Sequence, residues 1–262
     1  MTLAVAALAA LAPPLAAQAP ADPQLQDFEP IGEFLFELGG QDLERAEVFV
    51  SERAMAYLIM APELTSPLML NPRTRTVESV HLMKVARRDD GTVDLLAGAT
   101  LKPVSSFVIE NQEVHFTLGD KVAKLKPRPP LLGQQSAQGV KDYNPQYARK
   151  AESYGPTTKY LEALRAQRQE VRVRVYFGTW CSACKRVVPN TLRLAEELRG
   201  SRIDIEYYGL MSPLINDPEA KRAGIQGVPT AVVFVNGEEA GRLTGRQLLS
   251  PEASLSRLLG VS

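Results

Sequence analysis

Two cysteines, Cys181 and Cys184, are the only thiols in a chain of 262 residues. With two residues between them at the start of a helix, such a pair can close a small ring, and each sulfur can displace the other from a mixed disulfide. The spacing suits making and breaking disulfides, although Cys-x-x-Cys is also half of a zinc site. The neighbouring residues narrow the choice. Residues 171–177 read Val-Arg-Val-Arg-Val-Tyr-Phe, Gly178 and Thr179 break that run, and Cys181 opens a segment with helical spacing. Strand, turn and helix in that order put Cys181 at a helix N-terminus. Unpaired backbone N–H groups and the helix dipole there stabilise a thiolate over a thiol, and the thiolate is the nucleophile of disulfide exchange.

Further residues extend the pattern. Trp180, Cys181, Cys184 and Lys185 form Trp-Cys-x-x-Cys-Lys after a strand, Pro189 follows five residues after the second cysteine, and Gly227-Val228-Pro229-Thr230 precedes a hairpin at Val235-Asn236-Gly237-Glu238. In these features residues 145–262 resemble the thioredoxin family. The resemblance implies an α/β thioredoxin-like fold with a mixed sheet and the activity of a thiol-disulfide oxidoreductase. Cys181 and Cys184 would be the catalytic pair and the redox-active disulfide, with Cys181 attacking and Cys184 resolving. Trp180, Val228 and Pro229 would contact the substrate, with Pro229 in the cis form and lacking an N–H, beside which an extended segment could pair. It implies no cofactor and no metal. The partners would be protein or peptide thiols and disulfides, together with a redox protein that recycles the cysteine pair.

Two departures stand out. The family carries a buried carboxylate six residues before the first cysteine, where this chain has Val175, so a proton would have to move by another route. The strand also alternates valine with Arg172 and Arg174, where a strand buried on both faces should be continuously apolar; the arginines either snorkel or face the N-terminal region. Ser182-Ala183 matches neither the Gly-Pro of reducing thioredoxins nor the Pro-His of strong oxidants, and leaves direction open.

The elements that would position this pair follow from the rest of the chain. Met1 to Ala21 is an Ala/Leu-rich run ending in small residues, read as a secretory signal peptide cut before Asp22, which implies a periplasmic or otherwise extracytoplasmic protein with no membrane span after cleavage. No Lys or Arg precedes the run. Thirty basic residues balance thirty acidic ones, which gives no argument for nucleic acid or an anionic surface. Residues 28–126 show short alternating runs between turn residues, including Val80 to Val85 and Thr92 to Leu96 around Asp90-Gly91, and predict an all-β sandwich or barrel of seven or eight strands and unknown role. Lys121 to Arg128 reads as a solvated basic cluster. His81 and His115 are read as strand residues, and Met55, Met60, Met69 and Met83 as core filler.

Residues 127–144 are expected to be a Pro-rich and polar linker, flexible over Gln134 to Gly139. Helices are then expected from Asn144-Pro145, from Thr158 to Gln169, from Cys181 to Gly200, after Asp217-Pro218 and after Ser250-Pro251, with strands at Ile203 to Tyr207, Ala231 to Val235 and up to Thr244. Two other readings use the same residues. One is a redox-inactive peptide-binding or chaperone-like module with a static Cys181–Cys184 disulfide; the other is a cytosolic reductase whose first residues are not a leader.

Overall fold

The computed structural model describes residues 25–261. The leader expected over residues 1–21 lies outside the described residues. The N-terminal region comprises β1 (Glu29–Ile31), β2 (Phe34–Leu38), β3 (Gln41–Asp42), β4 (Glu47–Ser51), β5 (Ala56–Met60), β6 (Leu68–Asn71), β7 (Thr76–Ser79), β8 (Val85–Arg87), β9 (Val93–Leu95), β10 (Lys102–Glu110), β11 (Glu113–Leu118) and β12 (Lys121–Pro127). Ten of these form one sheet in the order β1-β4-β5-β6-β7-β10-β11-β12-β2-β3, and β8 pairs with β9. The ladders are antiparallel.

The sheet curls on itself. Val48, Ile59, Leu70 and Val77 from one half share a core with Phe36, Phe107, Phe116 and Leu125 from the other. Side chains one residue out of phase, Phe49, Leu58 and Met69, point to the opposite face and pack with Phe28, Val93 and Leu95 beneath the β8–β9 hairpin. This is the expected all-β architecture, with more strands than seven or eight among the described residues. Val80 to Val85 is not a strand: His81 caps a short 3₁₀ turn over Leu82–Lys84, its ring accepting from Met83 N–H at 3.2 Å. His115 does lie on a strand, 3.1 Å from Glu113. Lys121 to Pro127 is strand β12, because Ala123 and Leu125 turn inward while Lys126 turns out and pairs with Glu37 at 2.8 Å. Met69 is core, but Met55 and Met83 are exposed.

The C-terminal region comprises β13 (Gly133–Gln135), α1 (Ala137–Tyr143), α2 (Pro145–Ser153), α3 (Thr158–Arg165), β14 (Val171–Phe177), α4 (Ser182–Glu197), β15 (Ile203–Gly209), α5 (Pro218–Arg222), β16 (Thr230–Val235), β17 (Glu238–Thr244) and α6 (Pro251–Leu258). Its sheet runs β13-β15-β14-β16-β17, with β14 and β15 parallel and the other pairs antiparallel. The segment expected to be a linker is therefore largely built: β13 edges this sheet, and Ser136 Oγ caps α1 by accepting from Gly139 N–H at 2.9 Å. Asn144 and Asp217 cap α2 and α5, each with a proline at the first helical position. Asn236 and Gly237 turn the β16–β17 hairpin with positive φ.

Val171, Val173, Val175 and Phe177 on β14 pack with Val188, Leu192 and Leu255 in the main core, each such side chain contributing about 1.5–3 kcal/mol by burial. The opposite face of β14 is covered at one end only, where Tyr176 packs with Ala220, Ile225 and Val232. That half-covered face explains the arginines. Arg174 meets Glu206 of β15 at 2.6 Å, and Arg172 lies over the Phe234 ring at 4.8 Å. Neither faces the β region.

The two regions dock through the β1–β2 turn. A Cβ on Gly32 would sit 2.3 Å from the Tyr143 carbonyl oxygen and 2.6 Å from Asn144 Cα, both backbone atoms that cannot swing aside. Around it, Glu33 O accepts from Arg128 N–H at 2.7 Å, and Gln146 donates to Glu29 at 3.1 Å. Gly32→Ala is expected to lower unfolding stability by about 1–3 kcal/mol, measured as a lower denaturant midpoint. An unchanged midpoint would contradict this close approach.

Candidate active site

Strand β14 lies between β15 and β16, and its last residue leads into the turn that carries the cysteines. Gly178 leaves room for the indole, since a Cβ there would fall 2.5 Å from Trp180 Cε2 and push the ring aside. The indole folds back over that position and donates from Nε1 to the Leu210 carbonyl at 3.0 Å, leaving Trp180 43% exposed. Thr179 is buried.

Cys181 is the N-cap of α4. Its φ of −91° and ψ of 115° are extended, and its sulfur takes the place of a capping oxygen, accepting from Cys184 N–H at 3.2 Å. Both sulfurs are free thiols, Cys181 9% exposed and Cys184 fully buried. The Val228–Pro229 peptide bond is cis. Val228 turns its carbonyl to the thiol, which donates to it at 3.5 Å. Cys181, Cys184, Trp180, Val228 and Pro229, singled out in the sequence, thus come together at one end of the sheet. Pro189 lies inside α4 and is buried.

The two thiols are driven apart electrostatically. Cys181 is pulled down to about 6, chiefly by the hydrogen bond from Cys184, with help from the backbone N–H groups of Cys184 and Ala183 and from the Lys185 charge, against the opposing effect of burial. Cys184 is pushed up by its bond to Cys181 and by burial. One sulfur is prepared to be an anion, and the other keeps its proton. Alkylation of Cys181 by a small reagent is therefore expected to be half-maximal near pH 6, rising with pH as the thiolate forms and flat above pH 8. A midpoint near the about 8.5 of a free cysteine would contradict this electrostatic arrangement.

Other residues around the cysteines take their contacts from long-range packing. Val175, where a carboxylate was expected by resemblance, is fully buried among apolar side chains. Lys185, next to Cys184, instead meets Glu33 from the β region at 2.7 Å. Asn144, 1% exposed, caps α2 through Oδ1 and donates from Nδ2 to the same Glu33 oxygen at 3.1 Å. Tyr147 on α2 is 1% exposed and packs in the core that holds both cysteines. The Asn144-Pro145 cap was legible; its bond to a residue 111 positions away was not. Among the described residues no group of three or more His, Cys, Asp or Glu is arranged to hold a metal ion.

A family model described as Thioredoxin matches residues 155–256, leaving the β region outside the match. The chain is 31% identical over 70 residues to Thioredoxin 1 of Chlorobaculum tepidum, covering 27% of this chain and 65% of that protein. It is 30% identical over 88 residues to Thioredoxin-2 of Saccharomyces cerevisiae, covering 34% of this chain and 79% of that protein. The chain thus spans a little under two thirds of the bacterial relative's length. Among solved structures, thioredoxin f2 of Chlamydomonas reinhardtii aligns at 17% identity over 39% of this chain and 92% of that one, with a TM-score of 0.29.

Proposed function

This chain belongs to the thioredoxin family, and on that premise we propose that it is a thiol-disulfide oxidoreductase exchanging disulfides with protein thiols through Cys181 and Cys184 in an extracytoplasmic compartment. The observation that carries this reading is the geometry of the pair: the Cys181 sulfur caps α4 and accepts from Cys184 N–H at 3.2 Å, while the Cys184 thiol is fully buried, an arrangement that holds the first thiol down and the second up. A low-pKa thiol attacks, and a protonated neighbour one turn away waits to resolve.

In the reducing direction the Cys181 thiolate attacks one sulfur of a partner disulfide, forming a mixed disulfide and expelling the other sulfur as a thiolate. Cys184 then loses its proton and attacks Cys181 Sγ. The Cys181–Cys184 bond forms, the bond to the partner breaks, and two electrons have passed to the partner. The oxidising direction is the reverse. Trp180 and the half-buried Val228 flank Cys181 and offer an apolar contact and a backbone edge for an extended segment, and Pro229 contributes no competing N–H. A second protein would recycle the pair.

Export rests on the Ala/Leu-rich run at Met1 to Ala21. No helix among the described residues is long and apolar enough to cross a membrane. Mass spectrometry of the natural N-terminus tests the export reading: a start near Asp22 supports it, and a retained Met1 opposes it.

Glutathione disulfide tests the activity. Cys184→Ala protein is expected to hold one glutathione stably on Cys181, whereas the unsubstituted chain releases it and closes the Cys181–Cys184 bond. Absence of any adduct in either protein would favour a redox-inactive peptide-binding module.

A further inference from the structure

A cleft of about 700 Å³ opens where the two regions meet, a kind of place that ligand sites favour. Part of its lining is apolar: Ile31 and Phe34, which flank the docking turn, with Val50 of β4 and Tyr57 of β5, all of them partly exposed. The Phe34 and Tyr57 rings meet edge to face at 5.9 Å. The rest of the lining is charged, and acceptors outnumber donors. Lys185 meets Glu33 Oε1 at 2.7 Å and Arg53 meets Asp27 at 3.1 Å, which leaves Lys150 against Glu29, Glu52 and the second oxygen of Glu33. Glu29 accepts from Gln146 through one oxygen, and Glu52 has no side-chain partner among the described residues. Glu33 Oε2 is buried without a hydrogen-bond partner. Leaving a buried acceptor unsatisfied costs about 1–3 kcal/mol, and more when it is charged, so this oxygen calls for a donor from outside the chain.

The cleft adjoins the exchange site through the first turn of α4. Lys185 lines it, and the Lys185 backbone N–H donates to the Cys181 carbonyl at 3.2 Å, so the two regions frame an opening about one helical turn, roughly 5.4 Å of rise, from the nucleophile's own residue. An extended segment advances about 3.3–3.6 Å per residue, which brings a side chain about two or three positions from a bound cysteine to this opening. We propose that the cleft takes an arginine side chain of the partner protein, carried close to the partner's reactive cysteine, so that the β region selects substrates for Cys181. The proposal rests on the thiol-disulfide reading above and names the substrate class. An arginine suits both parts of the lining. Its fork of N–H groups supplies Glu33 Oε2 and Glu52, and its flat guanidinium and methylene stem lie against Phe34 and Tyr57.

The full chain is tested with two otherwise identical hexapeptides, each with one cysteine joined by a disulfide to 2-nitro-5-thiobenzoate and with either arginine or glutamate three residues away. The Cys181 thiolate attacks the peptide sulfur, thionitrobenzoate leaves as a thiolate, and its absorbance gives the rate. The arginine peptide is expected to react about tenfold faster than the glutamate peptide, the combined scale of an ion pair and a cation–aromatic contact. Glu52→Lys, at an exposed position, is expected to bring that ratio to about one, and Glu33→Gln to lower it. Glu110→Lys, exposed on β10 and not part of the cleft lining, is expected to leave the ratio as it is. Equal rates for the two peptides in the unsubstituted chain, or a ratio untouched by both cleft substitutions, would overturn the proposal and leave the exchange reading standing. So would an equal fall with Glu110→Lys, which assigns the preference to net charge alone. A chain that releases thionitrobenzoate from neither peptide would overturn the exchange reading as well.

Discussion

Cys181→Ser is expected to reduce disulfide exchange by at least about a thousandfold, the scale on which removing a covalent nucleophile acts, with little change in unfolding stability. Serine can still cap α4, since its hydroxyl accepts from the Cys184 N–H as the sulfur does. What it cannot do is form a disulfide. Cys184 offers no substitute, being fully buried and held protonated. The contribution of the lowered pKa is smaller than that of the sulfur itself. At neutral pH a thiol near 6 is about ten parts thiolate to one of thiol, where a free cysteine is a few per cent thiolate. Part of that gain is returned because a less basic thiolate is a weaker nucleophile. Exchange kinetics with thermal unfolding of the same samples check this expectation, and retention of more than a tenth of the rate would point to another nucleophile.

Val175→Asp is the second large effect. It places a carboxyl where the family resemblance expects one, but in this chain that position is 0% exposed and packed among Val173, Phe177 and Val188. Lost apolar burial adds to the desolvation of a polar group with no partner, so unfolding stability is expected to fall by about 3 kcal/mol or more. The new carboxyl would stay protonated at neutral pH because burial disfavours its charged form. Denaturant unfolding checks this: a loss below about 1 kcal/mol would show that the space between β14 and α4 accommodates polar groups, contrary to the apolar packing around Val175.

Much of this site was legible because its signals are local. The strand ending at Phe177, the break at Gly178 and the cysteine pair fix a thiol at a helix start, and Asn144-Pro145 and Asp217-Pro218 announce their helices by cap chemistry that needs no tertiary partner. The Asn236-Gly237 turn is likewise written in two residues. Features set by long-range packing were not legible. Lys121 to Pro127 reads as a run of positive charge until the sheet is formed and Ala123 and Leu125 turn inward. Arg172 and Arg174 contradict a strand buried on both faces, and only the partial covering of one face by α5 accounts for them. Glu33 is an unremarked acid after a glycine; its meaning depends on Gly32 meeting the Tyr143 carbonyl and on Lys185 arriving from α4. No spacing rule connects those positions, because the connection is made by docking.

The central claim is that Cys181 and Cys184 are a working redox pair, and the reduction potential of the full chain, equilibrated against glutathione and dithiothreitol buffers, tests it most directly. A stabilised thiolate favours the reduced form, and the lowered Cys181 value of about 6 lies between the roughly 7 of thioredoxin, near −270 mV, and the roughly 3.5 of DsbA, near −120 mV. The account predicts reversible exchange with a midpoint between about −270 and −180 mV. A pair that remains wholly reduced or wholly oxidised across every buffer would contradict it.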